Sequence, residues 1–205
     1  MHVLNPSTVS SHSLQVWDLF VRLFHWTLVL GCITAFVSGE LHAAEIHVLV
    51  GYGLCVLLVG RLYWGFRGSR YARFDSFLFS PAETLAYVRS MRGGHPIHYL
   101  GHNPAGALMV FALLGLVALL LATGLVTLAA IDFEGPLLCL ANSISDETSY
   151  AFRNIHKFLP TLGLVLVTLH LLGVISGSLQ HKENLVRAMI TGNKALPTES
   201  NATEN

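Results

Sequence analysis

The chain has 205 residues, no formal net charge, 53% apolar residues and only 12% charged ones, where soluble domains carry about 25% charged residues. That shortfall excludes an ordinary soluble domain, and the zero net charge leaves no case for nucleic-acid binding. Cys32, Cys55 and Cys139 form no C-x-x-C pair, so a disulfide framework is not expected.

In chain order, residues 1–18 read as a cytoplasmic N-terminal tail, because MHVLNPSTVSSHSLQ lacks the basic start and cleavage site of a signal peptide. Four apolar stretches follow, at about 19–38, 46–66, 104–130 and 156–179, each near the roughly 20 residues that cross a membrane as a helix. Residues 19–180 therefore read as one transmembrane domain of all-α class, a four-helix bundle in a lipid bilayer. The turn through Glu40–Glu45 is short, so spans one and two are antiparallel neighbours. Residues 67–103 form a loop in which PAETLAYVRSM predicts a short interfacial helix from Pro81 to Met91. Pro104 suits the first turn of the third span. Residues 131–150 read as an outer loop, with Ser143 or Ser145 as cap of the fourth span. Residues 181–205 read as a second cytoplasmic tail.

Lys and Arg set the orientation. The 67–103 loop holds Arg67, Arg70, Arg73, Arg89 and Arg92, and the C-terminal tail adds Lys182, Arg187 and Lys194. The first connection has acids and no base. The third has Asp132, Glu134, Asp146 and Glu147 against Arg153. Both termini and the Arg-rich loop are thus expected in the cytoplasm, with the protein a multi-pass membrane component.

Each of three spans carries histidine, a residue that is costly in a membrane and marks function there. His156 and His170 are fourteen residues apart, which on a helix is about 21 Å of rise and about 40° short of four turns. They share a face at two depths. His25 lies near the cytoplasmic start of span one, and His47 at the outer start of span two. Depth pairs His47 with His156 and His25 with His170, the pattern of two bis-histidine haems stacked across the membrane. The absence of C-x-x-C-H makes such haems non-covalent, and bis-imidazole iron suits electron transfer.

Other residues share these faces. Gly163 lies seven residues from each histidine of span four, and Gly51 one turn beyond His47. Each reads either as clearance for porphyrin or as plain helix packing. Arg61, fourteen residues after His47, reads either as a partner of an inner haem propionate or as a side chain snorkelling to the interface. Pro160 removes the N–H that would bond the His156 carbonyl. His102 and His181, outside the spans, read as solvated or as proton exchangers.

The stretches VWDLFVRLFHW, IHVLVGYG, GRLYWGF, GSRYARF, YLGHNPAGALM and LHLLGVISGSLQHKENLVRAMITG resemble the bacterial cytochrome b-561 family, which includes the b-type cytochrome subunits of nickel–iron hydrogenases. The resemblance covers about residues 16–194. It implies two haems b on His25, His170, His47 and His156, and electron exchange with quinone beside the inner haem. By likeness to formate-dehydrogenase-type relatives, Asn103 and Gln180 correspond to quinone-binding residues; the bland reading of both is capping or solvation. The outer loop, with Cys139 and SISDETS, departs from larger relatives and leaves the partner open. A periplasmic cytochrome c, flavocytochrome, hydrogenase or molybdoenzyme would fit.

The leading reading is an electron-transfer subunit of an oxidoreductase complex, since the chain has no catalytic constellation of its own. The alternative is a stand-alone superoxide:quinone oxidoreductase, as in some small relatives. That needs a basic funnel outside, where this chain is mostly acidic. A third reading is a haem-free transporter or anchor.

Overall fold

The computed structural model describes residues 13–92 and 99–195. A short strand β1 (Ser13–Gln15) leads into helices α1 (Leu19–Glu40) and α2 (Ala44–Arg67). Helix α3 (Pro81–Arg92) follows, then α4 (Pro104–Ala130), α5 (Asp146–Gln180), α6 (Leu185–Thr191) and strand β2 (Asn193–Ala195). Among the described residues, α1, α2, α4 and α5 are long and apolar enough to cross a membrane.

Helix starts follow from local chemistry. Asp18 caps α1 by accepting from Val21 N at 2.8 Å. The same carboxylate accepts from Trp64 Nε1 at 2.9 Å and from the Ser69 hydroxyl, tying α1 to α2 and the loop beyond it. Burial pushes the Asp18 pKa up, but the bonds from Ser69, Val21 and Trp64 and the Arg61 charge together hold it below the usual carboxylate value. Ser80 and Glu83 form a reciprocal capping box before α3. Asn103 caps α4, and Ser145 caps α5 by accepting from Thr148 N at 3.3 Å.

That last cap corrects one boundary. The 131–150 stretch is a loop only as far as Ser145, and α5 starts about ten residues before the apolar stretch does. Its first turns, DETSYAFRN, are polar but helical, and Asp146 and Glu147 favour the positive end of the helix dipole. At 35 residues the helix is about 52 Å long, well over the roughly 30 Å of hydrocarbon. Hydropathy locates the apolar part of such a helix and misses the rest.

The helices pack as two hairpins. α1 lies along α2 and α4 along α5, while contact between the hairpins is sparser and runs mainly through α2 and α4. α5 leaves Leu164, Leu171, Leu172 and Ile175 exposed, a surface for lipid.

Residues 13–18 and 184–195 are not loose tails. β1 and β2 pair antiparallel with Leu14 opposite Lys194, so both described ends of the chain meet at the Arg-rich end of the bundle. Val16, Trp17, Val21, Ala72 and Ala188 form a small buried core beneath them. The carbonyl of Gly192 accepts from Val16 N at 2.8 Å and Trp17 N at 3.0 Å. Gly192 has φ 87°, and a Cβ there would stand 2.5 Å from the Trp17 carbonyl oxygen. We expect Gly192→Val to cost about 1–2 kcal/mol from the backbone alone and to speed proteolysis after residue 180. Unchanged cleavage kinetics would show that this cap is not held by that turn.

Candidate functional site

Helices α2 and α5 bring His47 and His156 together at the end of the bundle away from the paired termini. Their ring centres are 6.0 Å apart and their planes nearly perpendicular, at 88°. His47 Nδ1 lies 2.8 Å from the carbonyl oxygen of Ala35 on α1. His156 Nδ1 lies 3.0 Å from the Leu120 carbonyl oxygen and 3.1 Å from the Thr123 hydroxyl on α4. Carbonyls only accept, so in each neutral ring Nδ1 carries the proton and Nε2 keeps a free lone pair. Metal–imidazole bonds of about 2 Å on either side of one ion place ring centres roughly 6 Å apart. Both the spacing and the tautomers of this pair fit a bis-imidazole metal, with the carbonyls as outer partners that fix ring orientation.

Two glycines make room for these rings. A Cβ at Gly39 would stand 3.3 Å from His47 Nδ1, and one at Gly124 would stand 2.9 Å from His156 Cε1. Sequence reading passed over Gly39, Thr123 and Gly124. The small, polar Thr-Gly pair inside the apolar third span was the available signal. No periodicity within one helix links it to a histidine on another.

At the other depth, His25 on α1 and His170 on α5 lie within electrostatic reach of each other. They make no ring contact. His25 Nδ1 is buried with no hydrogen-bond partner. Among the described residues, no three His, Cys, Asp or Glu side chains come together. Each pair therefore offers two ligands. That is what a porphyrin iron asks of a protein, whereas a bare zinc site asks for three or four.

Arg61 is no snorkelling side chain. It is 3% exposed, its Nη2 donates to the Ala72 carbonyl at 3.1 Å, and its guanidinium sits 4.7 Å from the centre of the Phe74 ring. Its Nη1 is buried and unpartnered, so a buried donor there awaits an acceptor. Gly163 faces α4, where a Cβ would stand 3.3 Å from Leu116 Cδ2. Gly51 has open space around it.

The Asn103 side chain accepts from Gly106 N at 2.7 Å, which is the capping role, and this leaves its amide N–H₂ to donate elsewhere. Gln180, the exposed last residue of α5, donates to the Ser176 hydroxyl at 3.0 Å. His102 departs from the solvated imidazole expected. Its ring packs against Trp17 at 4.6 Å and Phe77 at 4.5 Å, with Nδ1 buried and unpartnered. Burial, followed by the nearby charges of Arg61, Lys194 and His170, pushes its pKa down to about 3, which favours the neutral ring.

A family model described as prokaryotic cytochrome b561 matches residues 16–192. The probable Ni/Fe-hydrogenase B-type cytochrome subunit of Azotobacter vinelandii is 27% identical over 127 residues, which cover 48% of this chain and 52% of that relative. Its counterpart from Rhodobacter capsulatus is 22% identical over an alignment of 217 residues, covering 89% of this chain and 81% of the relative. The chain thus spans about half the length of the Azotobacter relative that it matches. No solved structure matches the chain.

Proposed function

The chain belongs to the prokaryotic cytochrome b561 family, and from that membership we propose that it holds two haems b and passes electrons between a redox partner and the quinone pool. It is a multi-pass bacterial membrane protein and a b-type cytochrome. The observation that carries the haem reading is the 6.0 Å His47–His156 pair with both Nδ1 atoms engaged; the second haem is proposed on His25 and His170, which lie within electrostatic reach at the other depth.

Haem, when bound, supplies reversible one-electron chemistry. The rest falls to this chain's residues. His47 and His156 hold one haem, and His25 and His170 the other. Placing His156 and His170 on one helix would set the two sites about 21 Å apart along its axis. Arg61 Nη1 supplies a donor to a haem propionate near the second pair. Gly51 leaves clearance beside His47, and Gly163 serves the packing of α4 on α5. Asn103, through its free N–H₂, and Gln180 donate to a quinone carbonyl at the Arg-rich end.

By the distribution of Lys and Arg, that end is cytoplasmic and the 131–145 loop periplasmic. The names of the relatives favour a hydrogenase among the candidate partners. The superoxide reading gains no support, since Asp146 and Glu147 stand in the first turn of α5, where they would repel an anionic substrate.

Topology is open to direct measurement. Asp132 and Ser69 are both exposed. A membrane-impermeant thiol reagent is expected to label a cysteine at Asp132 in intact spheroplasts and to leave one at Ser69 unlabelled until the membrane is broken. The reverse pattern would turn the electron path the other way up.

A further inference from the structure

Among the described residues, four buried side-chain nitrogens have no hydrogen-bond partner: Arg22 Nε and His25 Nδ1 on α1, and Arg61 Nη1 and His102 Nδ1. Arg61 and His102 belong to one assembly. The Arg61 guanidinium lies over Phe74, Phe74 meets Phe77 at 6.0 Å, and Phe77 packs on His102. Trp17 also packs on the His102 ring, at 4.6 Å. His102 feels the charges of Arg61, Lys194 and His170, so the assembly lies towards the His25–His170 pair.

The nearby acids are already engaged. Asp18 accepts from Val21, Trp64 and Ser69. Glu183 pairs with buried Lys194 at 3.5 Å. Neither forms a hydrogen bond to Arg61 Nη1 or His102 Nδ1. Arg61 Nη1 is a donor, and His102 Nδ1 is one in the tautomer that carries its proton there; leaving such groups unpaired in an apolar setting is costly, and an anion with two acceptor oxygens would satisfy both.

We infer that Arg61 and His102 donate jointly to one carboxylate, a propionate of the haem held by His25 and His170. His102 is then a positioning residue. Its neutral ring donates through Nδ1–H, and the Trp17 and Phe77 rings fix its orientation. Because Trp17 also belongs to the core beneath the paired termini, the cap at the Arg-rich end sets the position of this donor. The inference rests on the two-haem reading; a wild-type protein with a single haem, or none, would defeat that reading first and separately.

The test uses purified holoprotein, stripped of quinone, in His102→Phe and His102→Gln forms. Phe keeps the packing between Trp17 and Phe77 and removes the donor; Gln keeps a donor. Losing a donor disfavours the reduced, more negative state. His102→Phe is expected to retain both low-spin spectra while the reduction constant of one haem falls about tenfold, or 59 mV for one electron. The affected haem should be the one lost in His170→Ala. Its propionate bending band in resonance Raman should move as well, and His102→Gln should recover both readouts in large part. Unchanged potentials and bands, a shift confined to the His47–His156 haem, or a shift seen only while quinone is present would overturn the inference. If His102→Phe does not fold, wild-type protein with ¹³C-labelled propionates decides. A carboxylate stretch typical of free solvation at all propionates overturns the proposal, and a hydrogen-bonded stretch at the haem of His170 that reverts in His102→Leu supports it.

Discussion

Purified His156→Ala protein is expected to hold one haem where the wild type holds two, and His47→Ala to lose that same haem. His25→Ala and His170→Ala should each lose the other. The expectation follows from the pairing of helices: α2 and α5 carry one pair of rings, and α1 and α5 the other. Removing either imidazole halves the protein ligand set of one site and leaves the second site, at another depth on the same helix, intact. The measurement is haem per protein by pyridine haemochromogen assay, with redox titration to tell the two centres apart. A crossed result, in which His25→Ala and His156→Ala remove the same haem, would sink the assignment by depth. So would loss of both haems from every variant, because it would make the two sites one folding unit.

A second large effect is expected at the quinone. Asn103 does two things in this structure: its Oδ1 caps α4, and its N–H₂ remains free to donate. Replacement by Leu would remove both, and slow electron transfer would then say little. Asn103→Asp keeps the cap acceptor and removes the donor, which isolates the proposed role. Combined with Gln180→Leu, it should leave haem content and spectra unchanged and slow quinone-linked haem oxidation at least about tenfold, or about 1.4 kcal/mol in a barrier. Stopped-flow oxidation of the reduced protein by a short-chain quinone checks this. Normal kinetics in the double variant would remove both residues from the site. Equal slowing by a change beside His47 would move the quinone to the other end of the bundle.

The packing of His102 shows where a local reading of the chain misleads. His102 lies outside the apolar stretches and reads as a solvated imidazole. In the fold, Trp17 and Phe77, eighty-five and twenty-five residues away in sequence, enclose its ring. Neither distance in sequence carries a periodic signal. Arg61 is a parallel case, since the difference between snorkelling and enclosure depends on Phe74 and on the Ala72 carbonyl, both in a loop whose path no pattern specifies.

What was determined by the amino-acid sequence alone is the part governed by one-dimensional physics. Runs of apolar residues as long as a bilayer is thick specify membrane helices, with the ends of α1, α2 and α4 within a few residues of the apolar stretches. Helical rise and pitch place His156 and His170 on one face at two depths, and short connections make neighbours antiparallel. The polar first turns of α5 lay beyond this reach, because helix formation there owes nothing to lipid. Only the tertiary structure decided which groups meet. Pairing residues 13–15 with 193–195 as β1 and β2 turned the described parts of the expected tails into a packed cap. Packing α1 on α2 and α4 on α5 supplied the Ala35 and Leu120 carbonyls that fix the tautomers of His47 and His156, and the space at Gly39 and Gly124 that admits their rings. Those contacts join separate helices, so they follow from side-chain shape and hydrogen-bond satisfaction in three dimensions and leave no periodic trace along the chain.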